Sequence, residues 1–180
     1  SPSLVRDLAR QPELLPRARN RPEADDMAAA MAQVVATSVA TRGDGEDAPR
    51  VIRRAVQRAQ LRVGASDILD DLPVDVVGRA LAAVAQEAVA AAVQVAGPEV
   101  PLAVLSLGRL SAGELGYASD LDLVFLHGAD DDAGRAEAAR ATEVVRRVLG
   151  GTGPADRTYA VDLDLRPGGR SAPVVRTPES

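Results

Sequence analysis

The spacing of hydrophobic and polar positions changes character near residue 97. Before it, apolar residues recur at helical intervals. Met27, Met31, Val34, Val35 and Val39 form one stripe and predict a helix over 24–41, with Asp25 and Asp26 well placed against the positive end of its dipole. The polar, glycine-bearing run 42–49 ends it. Ile52, Ala55, Val56, Ala59 and Val63 predict a second helix over 49–63. Asp67 or Asp71, with Pro73, opens a third that runs to about Ala96, with enough Ala and Val to bury most of its circumference. Leu4, Val5, Leu8, Leu14 and Leu15 allow a short helix over 3–15, followed by an arginine-rich loop over 16–22.

Beyond Gly97 and Pro98 the apolar period falls towards two. Residues 102–107 read as a buried strand, followed by a turn-rich loop and a strand that carries Asp120 and Asp122. An acidic, solvent-exposed loop (Asp130, Asp131, Asp132) and a helix over 134–149 come next. The remainder reads as a strand over 159–167, a turn at Gly168–Gly169 and a short strand over 173–176. His127, the only histidine, closes the first aspartate strand and is expected at the surface. This order predicts an α+β protein: a helical N-terminal part, 1–97, docked on a sheet domain, 98–180.

The aspartates bring chemistry into the picture. Alternate side chains of a strand share a face, so Asp120 and Asp122 point one way while Leu121, Leu123 and Phe125 point the other. Two like charges held so close call for a cation between them or a raised pKa, and hard carboxylate oxygens suit magnesium. Downstream, Asp162 and Asp164 repeat the pattern with Val161, Leu163 and Leu165 on the opposite face. Were the two strands neighbours, three or four carboxylates would converge, the ligand set of a two-metal site that holds nucleotide phosphates and activates an attacking oxygen. The plainer alternative is a solvated strand face, and it weighs most for Asp164. Arg50, Arg54, Arg58 and Arg62 likewise line one helix face, and a solvated face is favoured over a phosphate or partner contact.

Composition narrows the options. The chain has 180 residues, is 46% hydrophobic, and has only Phe125, Tyr117 and Tyr159 as aromatics, so Ala, Val and Leu do the packing. All 21 basic residues are arginine, a mark of GC-rich coding. A net charge of −5 argues against a general nucleic-acid surface. The absence of cysteine excludes disulfides and thiolate metal sites. The apolar stretch over 82–95, interrupted by Gln86 and Glu87, reads as too short for a bilayer. No signal-peptide pattern opens the chain, and the expected location is the cytoplasm.

Gly108, an eleven-residue spacer and then Asp120-Leu121-Asp122-Leu123 resemble the general nucleotidyltransferase signature, a glycine turn followed by a metal-binding strand. The wider text is more specific. LGRLSAGELGYASDLDLVFLH and YAVDLDLRPGGRSAPVVRT closely resemble the catalytic halves of the glutamine synthetase adenylyltransferase and adenylyl-removing enzyme family. Its hallmarks are G-[KR]-L-G-G-x-E-L-x-Y-x-S-D-x-D and V-D-x-x-L-R-P-x-G-R. RAQLRVGASDILD and the opening SPSLVRDLARQPELL are similar to further family segments.

The resemblance implies a nucleotidyltransferase-like mixed sheet, with Asp120, Asp122 and Asp162 as catalytic magnesium ligands. It also implies Gly108 and Arg109 near the triphosphate of ATP, Ser119 beside the metal, and Arg166 and Arg170 near phosphate or the wall of the site. Asp164 falls where the family varies. Ser111-Ala112 replaces the usual Gly-Gly, which calls into question a loop backbone needing positive φ. The text also stops short of the family's later helical segment, so the chain is expected to be a fragment or a reduced relative. The implied reaction is transfer of AMP from ATP to a tyrosine of glutamine synthetase, with that enzyme and a PII-type signalling protein as partners. Phosphorolytic removal of AMP is the alternative direction, and the L-G-Y-x-S-D-x-D variant leans towards the adenylylating half. Two rival readings are a noncatalytic nucleotide-binding module and a small-molecule nucleotidyltransferase, the latter leaving the LRPGGR text without a role.

Overall fold

Three long helices pack around a shared hydrophobic core with a small mixed sheet and a fourth long helix in the computed structural model, which describes residues 9, 24–41, 43, 47–153, 155–164 and 175–176. The elements are α1 (Ala24–Ala40), α2 (Ala48–Asp70), α3 (Val74–Ala96), β1 (Leu102–Ser106), α4 (Gly108–Ala112), β2 (Leu121–His127), α5 (Asp132–Gly150), β3 (Val161–Asp162) and β4 (Val175–Arg176). Of the helix expected over 3–15 only residue 9 is described, and the turn at 168–169 lies outside the described residues.

The helical stripes bury as their spacing requires. Met27, Met31 and Val35 of α1 press mainly on α3. Ile52, Ala55, Val56, Ala59 and Val63 of α2 are likewise buried. α2 runs past its expected end because Gly64, Ala65 and Ser66 are small and buried, so the helix continues without widening its contact with the core. It stops at Asp71, whose φ of 50° is left-handed, just ahead of Leu72 and Pro73; the residue before a proline is kept out of helical geometry. Arg50, Arg54 and Arg58 are exposed on its outer face and Arg62 is half-buried.

α3 is the central helix, and it revises an expectation. The stretch read as too short for a bilayer belongs to a 23-residue helix that is long and apolar enough to cross one by length and composition. Here 61% of its most apolar stretch is buried by protein, with Val76, Ala80, Leu81, Val84, Ala85, Ala88 and Ala92 among the buried residues. Small side chains let those helices approach closely, which makes α3 the core element on which the site is built.

β1 pairs antiparallel with β2, from Leu102 opposite His127 to Ser106 opposite Leu123. β3 and β4 pair parallel with β2. β1 is not the buried strand its sequence predicts: Ala103 and Leu105 are exposed while Leu102, Val104 and Ser106 are half-buried, because β1 is an edge strand covered on one face. Leu121, Leu123, Phe125 and His127 of β2 are all buried. His127 is therefore not at the surface; it is 4% exposed, and its Nδ1 accepts a hydrogen bond from Ala129 N at 3.2 Å. α5 begins two residues early because the Asp131 carboxylate caps it, accepting from Gly134 N at 2.8 Å. β3 is shorter than the strand expected over 159–167: Asp162 Oδ1 accepts from Asp164 N at 2.7 Å, and the chain turns there.

Candidate functional site

Sheet register assembles the carboxylates. Asp120 immediately precedes β2 and Asp122 is its second residue, so they share a face. Asp162 of β3 is the direct register partner of Asp122 in a parallel pairing. One carboxylate oxygen from each of the three lies within 4.8 Å of the others, with Asp120 exposed and Asp122 and Asp162 half-buried. Partial burial, reinforced by the negative charges of Asp120 and then Asp162, pushes the Asp122 carboxyl above the usual aspartate range. A cluster whose members repel one another, with hard oxygens at this spacing, suits a divalent cation such as magnesium. Asp164 is not in the cluster, because the turn at Asp162 takes it off the strand.

Beside the carboxylates opens a cavity of about 430 Å³ lined by Gly108, Arg109, Gly116, Ala118, Ser119, Asp120 and Asp122. Gly108 has φ +55°, and a Cβ there would collide with the Asp122 carboxylate. Only glycine lets the backbone come this close to the Asp122 carboxylate. The Ser111-Ala112 departure turns out to be harmless: both residues are helical in α4, and the left-handed positions fall on Gly108 and on Gly113, at φ +71°. The Ser111 hydroxyl donates to Gly108 O at 2.9 Å, tightening that turn.

Arg109 is exposed and lines both this cavity and an adjoining cleft of about 760 Å³ that runs between the α2–α3 junction and residues 112–117. Ser119 lines the site, but its hydroxyl accepts from Gly116 N at 3.0 Å, and its own N–H donates to Gly116 O at 3.2 Å. Its observed work is to close the turn ahead of Asp120. Arg166 and Arg170 lie outside the described residues.

Two supports escaped the sequence reading. Gly78 on α3 is buried where a Cβ would stand 2.9 Å from Gly113 O and 3.2 Å from Glu114 Cα, so α3 backs the loop without a side chain between them. Tyr117 Oη donates to Asp67 Oδ2 at 3.1 Å, tying that loop to α2. A lone glycine inside an Ala/Val helix, and one of only three aromatics set in a loop, were the signals available.

A family model described as glutamate-ammonia ligase adenylyltransferase matches residues 1–180. Similar curated proteins are bifunctional glutamine synthetase adenylyltransferase/adenylyl-removing enzymes. That of Cutibacterium acnes is 36% identical over 141 residues, covering 76% of this chain and 14% of the relative. That of Mycobacterium avium is 36% identical over 166 residues, covering 83% and 16%. That of Mycolicibacterium smegmatis is 32% identical over 186 residues, covering 94% and 18%. The chain thus spans less than a fifth of the length of these relatives.

Proposed function

The chain belongs to the glutamate-ammonia ligase adenylyltransferase family, and on that premise we propose that it forms a nucleotidyl-transfer centre moving AMP from ATP to a tyrosine hydroxyl of glutamine synthetase. The observation that carries this reading is the convergence of Asp120, Asp122 and Asp162 beside the cavity at Gly108.

In this scheme Asp120, Asp122 and Asp162 hold magnesium, which when bound would neutralise triphosphate charge and ease ionisation of the acceptor hydroxyl. The acceptor oxygen attacks the α-phosphorus in line. A new P–O bond to tyrosine forms as the bond to the bridging oxygen of the β-phosphate breaks, and pyrophosphate leaves. Asp162 receives the phenolic proton, a role suited to a carboxylate beside the nucleophile. Gly108 keeps the cavity wall free of a side chain, leaving backbone N–H groups open to phosphate oxygens. Arg109 at the rim supplies positive charge to the same anion, and Arg166 and Arg170 are assigned to it by their motif positions. Ser119 sets the turn that delivers Asp120.

Residues 98–180 are taken as the catalytic core and 1–97 as its helical support. A PII-type signalling protein as regulator, and a cytoplasmic location where ATP is at hand, belong to the same proposal. The motif variant L-G-Y-x-S-D-x-D favours adenylylation over phosphorolysis. The deciding experiment incubates the chain with α-labelled ATP, magnesium and glutamine synthetase, and in parallel offers adenylylated synthetase with phosphate. Label on the synthetase supports AMP transfer, release of ADP from the adenylylated protein assigns the reverse direction, and ATP binding without either supports a noncatalytic module.

A further inference from the structure

Asp120 and Asp122 are held by different means. Asp122 lies within the β2 ladder: its carbonyl accepts from Leu107 N at 2.9 Å, and its register partner is Asp162. Asp120 precedes the ladder, whose first bond on the β3 side is Leu121 N to Ala160 O at 2.8 Å. Its position is therefore set by the loop that leads into it. That loop closes on itself through Gly116 and Ser119, rests on α3 where Gly78 meets Gly113 and Glu114, and reaches α2 through the hydrogen bond from Tyr117 to Asp67. Tyr117 sits inside the Gly116–Ser119 turn, three residues from Asp120, while Asp67 lies 50 positions earlier in the chain.

We propose that Tyr117 and Asp67 form a strap by which α2 positions Asp120 for metal binding, with Tyr117 as a positioning residue that never touches the ion. The proposal rests on the reading of the carboxylate cluster as a metal site. A hydrogen bond from a phenol to a carboxylate is charge-assisted and directional, so it fixes the turn more tightly than apolar packing of a half-exposed ring does. Groups hydrogen-bonded directly to metal ligands govern affinity by roughly 10–100-fold, and a strap that reaches Asp120 through the backbone of its turn falls at the low end of that range.

The test titrates Mn2+ into the whole 180-residue chain, reading the electron paramagnetic resonance signal of the free ion, with thermal midpoints measured alongside. Tyr117→Phe should weaken Mn2+ binding roughly tenfold at the low end of that range. Asp67→Ala should match it, Asp67→Asn, which keeps an acceptor oxygen, should stay closer to the parent, and the Tyr117→Phe/Asp67→Ala double variant should be no weaker than either single. A merely structural tyrosine would move the thermal midpoint and leave the Mn2+ affinity alone; that result, or additive losses in the double variant, overturns the strap. Asp120→Asn separates the two levels. If the parent binds Mn2+ and Asp120→Asn does not, while Tyr117→Phe equals the parent, the strap alone fails. If the parent binds none, the metal reading fails and takes the strap with it.

Discussion

Replacing Asp122 by Asn should stabilise the metal-free chain and abolish its response to magnesium. Asp122 faces two like charges, Asp120 and Asp162, with carboxylate oxygens of all three within 4.8 Å of one another. At that separation each pair costs about 1 kcal/mol at the dielectric of water and about 3–4 kcal/mol at an effective dielectric of 20. The exposure of Asp120 and the half-exposure of its partners favour the lower figure. Screening by salt then leaves a net relief of about 1 kcal/mol, or about 2–4 °C in Tm for a chain of this size. The pH dependence has a defined sign. Because the folded-state pKa of Asp122 is raised, the folded protein holds a proton that the unfolded chain has released, and the repulsion sets in as pH climbs through the folded value. The advantage of Asn should therefore be full at neutral pH and shrink as pH falls towards about 4, the ordinary aspartate value. On the proposed metal site, magnesium should reverse the order: at a hundredfold excess over Kd the parent should gain about 2.7 kcal/mol, while a variant with a broken ligand set should gain little. Calorimetric scans at neutral and mildly acidic pH, with and without magnesium, would show the two stability curves crossing. An Asn variant less stable than the parent without metal at neutral pH, or one with an undiminished magnesium response, refutes the reasoning.

Gly108→Ala should abolish AMP transfer and cost about 1–3 kcal/mol, since the new methyl group collides with the Asp122 carboxylate at a left-handed φ; thermal denaturation and a labelled-ATP assay read both effects. The Asp156 carboxylate accepts from Thr152 N at 2.9 Å, Thr152 Oγ1 at 2.7 Å and Gly153 N at 2.7 Å, and these bonds hold its pKa down to about 2. Its contribution is thus present above the ordinary aspartate value and lost as pH falls through about 2, so Asp156→Ala should speed hydrogen exchange at the Thr152 and Gly153 amides under neutral conditions. Tyr159→Ala should cost about 3–5 kcal/mol by emptying a buried aromatic site next to β3 and should weaken magnesium binding as well, whereas Tyr159→Phe, losing one 3.4 Å contact from Gln60, should change urea midpoints little.

The parts of this fold that were legible in the sequence are those fixed by local periodicity. Met27, Met31 and Val35 could bury together only on a helix, and Leu121, Leu123 and Phe125 only on a strand with Asp122 opposed to them. Local spacing misleads where the deciding contact is distant. Whether α2 ends at Val63 depends on what lies against Gly64, Ala65 and Ser66, and whether β1 is buried depends on which strand flanks it. His127 reads as a strand-end polar residue until its ring is found closing onto Ala129. Asp164 shares strand parity with Asp162, but parity means nothing once Asp162 has captured the Asp164 amide and turned the chain. Counting along a motif does not reveal which residue bears the positive φ: Gly108 and Gly113 bear it, not Ser111 or Ala112.

The third carboxylate shows how far such reasoning can reach. A parallel pair of strands needs a crossover of a dozen or more residues, usually a helix. α5 is that crossover: the order strand, helix, strand is compatible with a parallel pair, and the pairing of β3 with β2 makes Asp162 a neighbour of Asp122. Adjacency and register are what the order of elements leaves open. Register is set at the far end of the crossover, where Thr158 N and Tyr159 N both donate to Leu149 O, at 2.8 and 2.9 Å, and where the Tyr159 ring is buried. A slip of one residue there would bring Val161 or Leu163 opposite Asp122 and turn the Asp162 carboxylate to the other face. Apolar packing around Leu149 and Tyr159 thus decides whether three carboxylates meet or only two.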